Sequence, residues 1–321
     1  MNERIVQLFK QSKGAFLSGE QLSKELQCSR TAVWKHIQAL RKEGFEFEAV
    51  PKLGYRLLQE PERIDHASLL AGLKTRVLGQ SIKLFDEVDS TNNIAHDLVQ
   101  KGAGEGTLVI AEQQTKGRGR MGRVWLSPKG KGIWMSIVLK PDIPLPFTPQ
   151  LTLLVAVALC RTIRKLTPDV GIKWPNDLLI RGKKISGILL ESSAEDERLN
   201  YVIVGVGISA NLKEEDYPDE LREKATSLLL ETGQPIDRVA MVCDFLQQLE
   251  ELYDLYRSQG FAPIRLLWEA LTVTLQRKVT IQTAQGPEEG TAESIDDMGA
   301  LLVRTPDGRM VKFFSGDIGQ P

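Results

Sequence analysis

The residues best suited to chemistry lie in a glycine- and arginine-rich stretch near the middle of the chain. From Lys116 to Lys131 the sequence carries six basic residues and no acidic residue. Glycines let a backbone approach a ligand closely, and arginines supply forked, permanently charged donors. We call residues 116–125 the arginine loop. Its composition is typical of a loop that wraps a phosphate ester or a pyrophosphate, and it holds Gly117, Arg118, Gly119, Arg120, Gly122 and Arg123.

The glycine spacing of the arginine loop also matches two common sequence motifs. The spacing Gly117-x-Gly119-x-x-Gly122 occurs in the phosphate-binding loop of protein kinases, but the sequence contains no HRD or DFG triplet. The same spacing occurs in dinucleotide-binding folds, but residues 124–131 have no amphipathic helical pattern. Gly205 and Gly207 follow a predicted strand and leave two interpretations open, close packing of strands or a ligand pocket. Kinase and dinucleotide-binding functions are therefore not predicted.

Polar residues also cluster around a predicted turn. Pro175 fixes a turn after the strand 170–174 and presents Asn176 and Asp177 at the end of that strand. The stretch 181–187 predicts a hairpin, with Lys184 at the start of its return strand. A lysine at such a place is usually a solvated turn residue, so the pattern by itself leaves its role open.

The cysteines and histidines show no pattern typical of a metal site, a disulfide framework or a nucleophilic triad. They are dispersed along the chain, and the cysteines form no CxxC pair. We therefore assign them no chemistry and predict no protein metal site. They are Cys28, Cys160, Cys243, His36, His66 and His96.

The elements that must position these residues predict an α+β domain. Strand and helix patterns after residue 80 come in groups and not in strict alternation, which favours a mixed or antiparallel sheet. Strands are predicted at 82–88, 107–111, 132–139, 170–174, 184–190 and 201–208, and helices at 91–100, 151–166, 238–258 and 263–271. From Val279 onward, short strands alternate with turns.

The first sixty residues predict a winged helix-turn-helix. Ser18 and Gln21 fit a capping box at the start of a short helix, and Ser29 is placed to cap the next helix. That second helix ends at Gly44, and its apolar positions 33, 37 and 40 share one face. The stretches 45–50 and 55–57 then predict a β-hairpin with Lys52 at its tip.

The opposite face of the second helix carries residue types that suit a major groove. A solvated helix face is the alternative, with Trp34 at the edge of the core. The residues expected to contact DNA are Ser29, Arg30, Thr31, Trp34, Lys35, Gln38 and Lys52.

Composition restricts the class of protein further. Of the 321 residues, 42% are apolar and 26% charged, a balance that argues against disorder. Residues 1–63 hold 11 basic against 8 acidic residues, whereas the rest of the chain has a net negative charge. This asymmetry favours an N-terminal module that binds phosphate groups. The N-terminus has no apolar segment typical of a signal peptide, and the longest apolar run, at 153–160, is too short to span a bilayer. We expect a cytoplasmic protein without a membrane partner.

Four motifs in this order resemble those of the biotin protein ligases, and the resemblance spans nearly the whole chain. The N-terminal module is similar to that of the bifunctional members, which also repress biotin genes. The resemblance implies a winged helix-turn-helix at 1–63, a ligase domain at 64–272 and a small SH3-like β-barrel at 273–321. The motifs are Asp89-Ser-Thr-Asn92, Gln113-Gln-Thr-Lys-Gly-Arg-Gly-Arg120, Lys173-Trp-Pro-Asn-Asp177 and Lys184-x-x-Gly187.

The resemblance implies a role for each matching residue. The start of the helix at 91, with a glutamine, holds biotin; the arginine loop closes over the adenylate; and a lysine lies near the reacting carboxylate. The positions expected to bind biotin are Ser90, Thr91, Asn92, Gln114, Arg118, Gly119, Arg120 and Lys184. Those expected to bind ATP or the adenylate are Arg118, Arg120, Arg123, Trp125, Asn176 and Lys184. The expected catalytic residues are Lys184, Arg118, Arg120 and Asp177.

The implied reaction uses ATP and Mg²⁺ to form biotinyl-5′-adenylate, and a lysine of a biotin carboxyl carrier protein then takes the acyl group. No protein nucleophile is needed. Operator DNA is the second implied partner, with the adenylate as corepressor and a homodimer formed on adenylate binding.

The sequence departs from the family pattern in two places. Where many members have Gly-x-Gly-x-Asn, this chain has Ser209 as the last residue, with Asn211 two places on. The end at Ser315-Gly-Asp-Ile318 lacks a following arginine. Two alternatives stay open: a lipoate-type ligase that performs the same reaction on another acid, and a repressor whose second domain only senses a ligand.

Overall fold

The computed structural model describes residues 1–42, 44–59, 63–283, 286–316 and 318–319. Its contacts divide the chain into two compact units, Met1–Arg63 and Ile64–Pro321. Part of the predicted junction, at 60–62, and part of the C-terminal motif, at 317, lie outside the described residues. The further domain boundary at residue 272 stays a prediction.

The N-terminal unit has the predicted winged helix-turn-helix order. Ser18 Oγ accepts a hydrogen bond from the Gln21 N–H, and Gln21 Oε1 accepts one from the Ser18 N–H, so the capping box is present. Ser29 Oγ accepts a hydrogen bond from the Ala32 N–H and begins the next helix. The elements are α1 (Asn2–Gln11), α2 (Gly19–Leu26), α3 (Arg30–Lys42), β1 (Glu46–Val50) and β2 (Gly54–Gln59).

The larger unit is built on a mixed sheet, as predicted. Strands β3 and β4 are parallel, and the other neighbouring pairs are antiparallel, in the order β3-β4-β5-β9-β8-β7-β6. The strands are β3 (Ile82–Val88), β4 (Leu108–Gln114), β5 (Ile133–Leu139), β6 (Val170–Lys173), β7 (Asp177–Ile180), β8 (Lys183–Glu195) and β9 (Arg198–Ile208). Strand β7 was not among the predicted strands.

Helices cover both faces of this sheet. The apolar residues of α6 are buried almost all round, as in a core helix, and α5 packs on β4, β5 and β9 through Ala95. Within the described residues, one helical segment is long and apolar enough to cross a membrane. It is Leu145–Arg164, which consists of α6 and the helical turn before it, and 67% of its apolar window is buried inside the protein. The helices are α4 (His66–Gly72), α5 (Thr91–Gln100), α6 (Thr148–Arg164), α7 (Asp219–Arg222), α8 (Leu228–Thr232), α9 (Arg238–Gln259) and α10 (Ala262–Leu271).

The C-terminal strands form an antiparallel sheet in the order β13-β12-β11-β10-β14. The predicted barrel would be closed by pairing of the two edge strands, β13 and β14. No such pairing occurs among the described residues. The strands are β10 (Lys278–Thr283), β11 (Gly286–Ile295), β12 (Leu301–Arg304), β13 (Met310–Phe313) and β14 (Ile318–Gly319).

Candidate active site

All the residues predicted for ligation line one cavity of about 230 Å³. It lies between the start of α5, the arginine loop, the β6–β7 turn and the facing strands β8 and β9. The structure thus brings together four motifs that span almost a hundred residues of sequence. These lining residues are Ser90, Thr91, Asn92, Gln114, Arg118, Gly119, Arg120, Arg123, Trp125, Asn176, Asp177 and Lys184.

The floor of the cavity is bare backbone on β8 and β9. A Cβ added at Gly205 would lie 2.4 Å from Asn92 Oδ1, and one at Gly207 would lie 2.3 Å from Trp125 Nε1. At Gly187, a Cβ would lie 3.0 Å from the Trp125 ring. The first two distances are shorter than any normal contact, so only glycine lets Asn92 and Trp125 lie against the strands. Gly205 and Gly207 therefore line the cavity, and the close contacts at these positions are with the side chains of Asn92 and Trp125.

One end of the cavity is a fixed polar network at the start of α5. Gln114 Oε1 accepts hydrogen bonds from the Thr91 N–H at 2.9 Å and from Thr91 Oγ1 at 3.1 Å. The Ser90 side chain makes no capping hydrogen bond to α5. Gln114, at the end of β4, instead accepts a hydrogen bond from the first N–H of the helix. Ser136 Oγ lies 2.8 Å from Thr91 Oγ1 and 2.6 Å from Asn92 Oδ1. Such a buried, satisfied network presents its remaining donors and acceptors in fixed directions.

The arginine loop folds back on itself over this cavity. The Trp125 N–H donates to Gly117 O at 2.8 Å, and the Gly119 N–H donates to Arg123 O at 2.7 Å. At the tip, Met121 and Val124 are 85% and 88% exposed. The loop thus has an anchored base and an apolar tip that faces solvent.

Arg118 pairs with a residue that the sequence analysis missed. Its guanidinium donates to both carboxylate oxygens of Glu191 on β8, with Nη2 at 3.0 and 3.1 Å. Glu191 Oε2 also accepts a hydrogen bond from Asn92 Nδ2 at 2.6 Å. No motif contains Glu191; the available signal was its alternation with Gly187 and Leu189 on one face of a strand.

The other end of the cavity carries an ion pair beside an aromatic ring. Lys184 Nζ lies 2.7 Å from Asp177 Oδ1 and 5.2 Å from the centre of the Trp125 ring. Arg120 Nη1 donates to Asn176 Oδ1 at 3.2 Å, and Asn176 Nδ2 donates to Ile188 O at 2.7 Å. Lys184 is therefore not a solvated turn residue, since its ammonium group is paired and faces the cavity.

The donor set suits a magnesium ion carried by a nucleotide. Asp177 is the one carboxylate among the described residues that line the cavity. No cluster of three or more metal-binding side chains occurs within the described part of the chain. Mg²⁺ commonly binds through one or two carboxylates together with substrate phosphates and water, so the cavity fits that mode and not a protein-only metal cage.

Ser209, the departure from the family pattern, is part of the cavity wall. Ser209 is buried, lines the cavity and donates its N–H to Ile185 O at 3.0 Å. Tyr217 lines the same wall, and burial raises the pKa of its phenol to about 12. The side-chain amide of Asn211 pairs instead with both backbone groups of Ile236. Asn211 therefore holds a loop and does not take the place of the family's asparagine at position 209.

In the N-terminal unit, α3 exposes the predicted DNA-binding face. Val33 and Ile37 are fully buried on the opposite face, and Trp34 is 51% exposed, so it is not part of the core. Lys52 sits at the hairpin tip with φ +70°, and Arg30 donates to Glu20 at 2.7 Å. The exposed members of the predicted set are Ser29, Arg30, Thr31, Trp34, Lys35 and Lys52, with Gln38 half-buried.

Comparison with known families gives three matches along the chain. Residues 84–209 match the biotin/lipoate A/B protein ligase family, residues 2–56 match a helix-turn-helix domain, and residues 274–318 match the biotin protein ligase C-terminal domain.

Relatives and solved structures agree with these matches. The bifunctional ligase/repressor BirA of Bacillus spizizenii is 47% identical, over 99% of this chain and 98% of its own. The protein of the same name from Escherichia coli is 32% identical, over 96% and 94%. A biotin protein ligase of Aquifex aeolicus, solved with biotin and ATP, superposes with a TM-score of 0.64 at 30% identity, over 75% of this chain and 98% of its own. The chain therefore belongs to the biotin protein ligase family, among the members that carry an N-terminal helix-turn-helix domain.

Proposed function

We propose that this chain activates biotin with ATP, transfers it to a lysine of a biotin carboxyl carrier protein, and binds operator DNA as a repressor of biotin genes. The observation that carries the enzymatic part is the cavity itself. A hydrogen-bonded network lies at one end of the cavity, and three cations line the same cavity: Arg118, Arg120 and Lys184. That arrangement suits a small acid whose carboxylate must meet a phosphate.

In the first half-reaction, a carboxylate oxygen of biotin attacks the α-phosphorus of ATP, and the bond to pyrophosphate breaks. Negative charge develops on the phosphoryl oxygens, where fixed cations stabilise it. Lys184 is the closest fit for this role, because Asp177 and the Trp125 ring hold its ammonium group in place. Mg²⁺, bound to the triphosphate and reached by Asp177, would supply further charge neutralisation.

In the second half-reaction, the lysine amine of the carrier attacks the acyl carbon and AMP leaves with its phosphate. The amine must lose a proton, and we assign Asp177 to orient it or to accept that proton. Until then the mixed anhydride must be kept from water. The arginine loop suits this role, since its base is anchored and its apolar tip is free to cover a ligand.

The regulatory part of the proposal rests on the exposed face of α3. Biotinyl-5′-adenylate acts as corepressor and promotes a homodimer, which places two winged helices on a palindromic operator. A carrier protein and a second copy of the chain then compete for one strand edge. The protein works in the cytoplasm, without a membrane partner.

The test is a mass spectrum of a biotin carrier domain after incubation with this protein and Mg-ATP, with biotin or lipoate in parallel tubes. One biotinyl group on one lysine is the expected result. A lipoyl group instead would keep the mechanism and change the acid. Modification in neither tube would favour a repressor that only senses its ligand.

A further inference from the structure

A carboxylate at the rim of the cavity has no part in the reaction described above. Glu191 lies on β8, two residues beyond Leu189, which lines the cavity. Its side chain is 27% exposed. The side chains of three residues converge on it: Arg118, Asn92 and His96.

The pairing with Arg118 is side-on. Nε and Nη2 lie 3.3 and 3.0 Å from Glu191 Oε1, and Nη2 lies 3.1 Å from Oε2. A guanidinium that is held by its Nε–Nη2 edge keeps its Nη1 donors available, because its five N–H groups point in fixed directions. Within the described residues, no acceptor takes a hydrogen bond from Nη1 of Arg118. The ion pair therefore fixes the plane of the guanidinium and leaves one donor edge for a ligand.

The same carboxylate ties the arginine loop to the biotin end of the cavity. Asn92 Nδ2 donates to Glu191 Oε2 at 2.6 Å, and Asn92 Oδ1 lies 2.6 Å from Ser136 Oγ. Ser136 in turn reaches Thr91, which bonds to Gln114. One continuous polar chain thus runs from Gln114 to Arg118, with Glu191 as the link between the sheet and the loop.

We propose that Glu191 is a positioning residue of the ligation reaction, which orients Arg118 toward the acyl phosphate without touching the substrate. This inference rests on the proposed function. A long, flexible arginine otherwise samples many rotamers, and a carboxylate that holds two of its nitrogens removes that freedom before the ligand arrives. The ligand then meets a guanidinium that lines the cavity and keeps its Nη1 donors available.

The first test is Glu191→Gln, which keeps the shape of the side chain and removes its charge. Biotin-dependent exchange of pyrophosphate into ATP should lose roughly ten- to a hundredfold in kcat, while the KM for ATP stays nearly unchanged. Glu195→Gln is the matched control, because Glu195 is exposed on the same strand. It should behave as wild type.

The second test is a double-variant cycle with Arg118→Gln. If Glu191 acts through Arg118, Glu191→Gln adds no further loss in the Arg118→Gln background. Wild-type activity of Glu191→Gln, or losses that multiply in the double variant, would overturn the inference. A wild-type protein that forms no biotinyl-adenylate would instead refute the proposed function, so the two failures are separable.

Discussion

The ammonium group of Lys184 lies 2.7 Å from Asp177 Oδ1, and the two residues stand on adjacent antiparallel strands. The cation is thus held before any ligand binds. Removing it should therefore affect the chemical step more than the fold.

We expect Lys184→Ala to lower kcat for biotin-dependent pyrophosphate exchange by roughly 10²–10³-fold, because one fixed charge-stabilising donor is lost. Lys183→Ala is the control, since the ammonium group of that neighbouring lysine donates to Arg222 O. An equal loss in both variants would show that the hairpin, and not the Lys184 charge, matters.

Gly207→Ala should weaken ATP binding. The new Cβ would meet Trp125 Nε1 at 2.3 Å. Overpacking of this kind costs about 1–3 kcal/mol, which equals roughly five- to 150-fold in affinity. The KM for ATP in pyrophosphate exchange measures this. Gly104→Ala is the control, because a Cβ there has open space. An unchanged KM would mean that Trp125 does not pack on the nucleotide.

Arg238→Met should destabilise the larger unit. Arg238 Nη1 donates to Glu112 Oε2 at 2.7 Å, and only 1% of the arginine side chain is exposed. Removal of one partner leaves a buried charge, at a cost of about 3–5 kcal/mol, which thermal or denaturant unfolding measures. Arg304→Met, which breaks an exposed pair with Glu293, should barely shift the transition. Similar shifts in both variants would contradict this prediction.

Glu250→Gln should lose stability in a pH-dependent way. Burial by itself raises the pKa of Glu250, but the N–H groups of Arg76, Leu78 and Val77 outweigh it and hold the pKa below the ordinary value of 4.5. Because the pKa is lower in the folded state, ionised Glu250 stabilises the fold at pH values above its ordinary pKa. That stability is lost as the pH falls through the folded-state pKa.

The melting temperatures of wild type and Glu250→Gln should therefore differ near pH 7 and converge as the pH falls below 4.5, through the lowered pKa of Glu250. Glu251→Gln, at the exposed neighbouring position, should match wild type throughout. A gap that stays constant with pH would rule out the titration of Glu250 as its cause.

Lys52→Ala should weaken DNA binding equally for all sequences, because a wing-tip lysine contacts phosphate and reads no base. The slope of log K against log salt should fall in magnitude by about 0.9, the value for one phosphate contact. Lys278→Ala, an equal charge change at an exposed site of the C-terminal sheet, should leave the slope unchanged. Fluorescence anisotropy across a salt series decides between these outcomes.

Local signals were enough to predict much of this fold. The capping box at Ser18 and the helix 91–100 occur where the sequence indicates, because capping motifs and helical periodicity are set by residues close in sequence. The cavity residues were identified by resemblance, and the structure shows that they meet. Glu191 could not be found this way, since its importance arises from a partner 73 positions away in the chain.

Trp34 shows a different limit. Its place on the helix wheel lies between the apolar and polar arcs, so periodicity alone cannot say whether it is buried. Only the packing of α3 on the rest of the N-terminal unit decides that it is exposed.

The bare floor of the cavity also bears on drug resistance. An inhibitor that mimics the adenylate and lies against Gly205 and Gly207 contacts main chain there, and any added side chain would collide with Asn92 or Trp125. The chain therefore cannot alter that contact surface without displacing Asn92 or Trp125. Escape substitutions should therefore appear at side chains of the rim that have no assigned part in binding or catalysis.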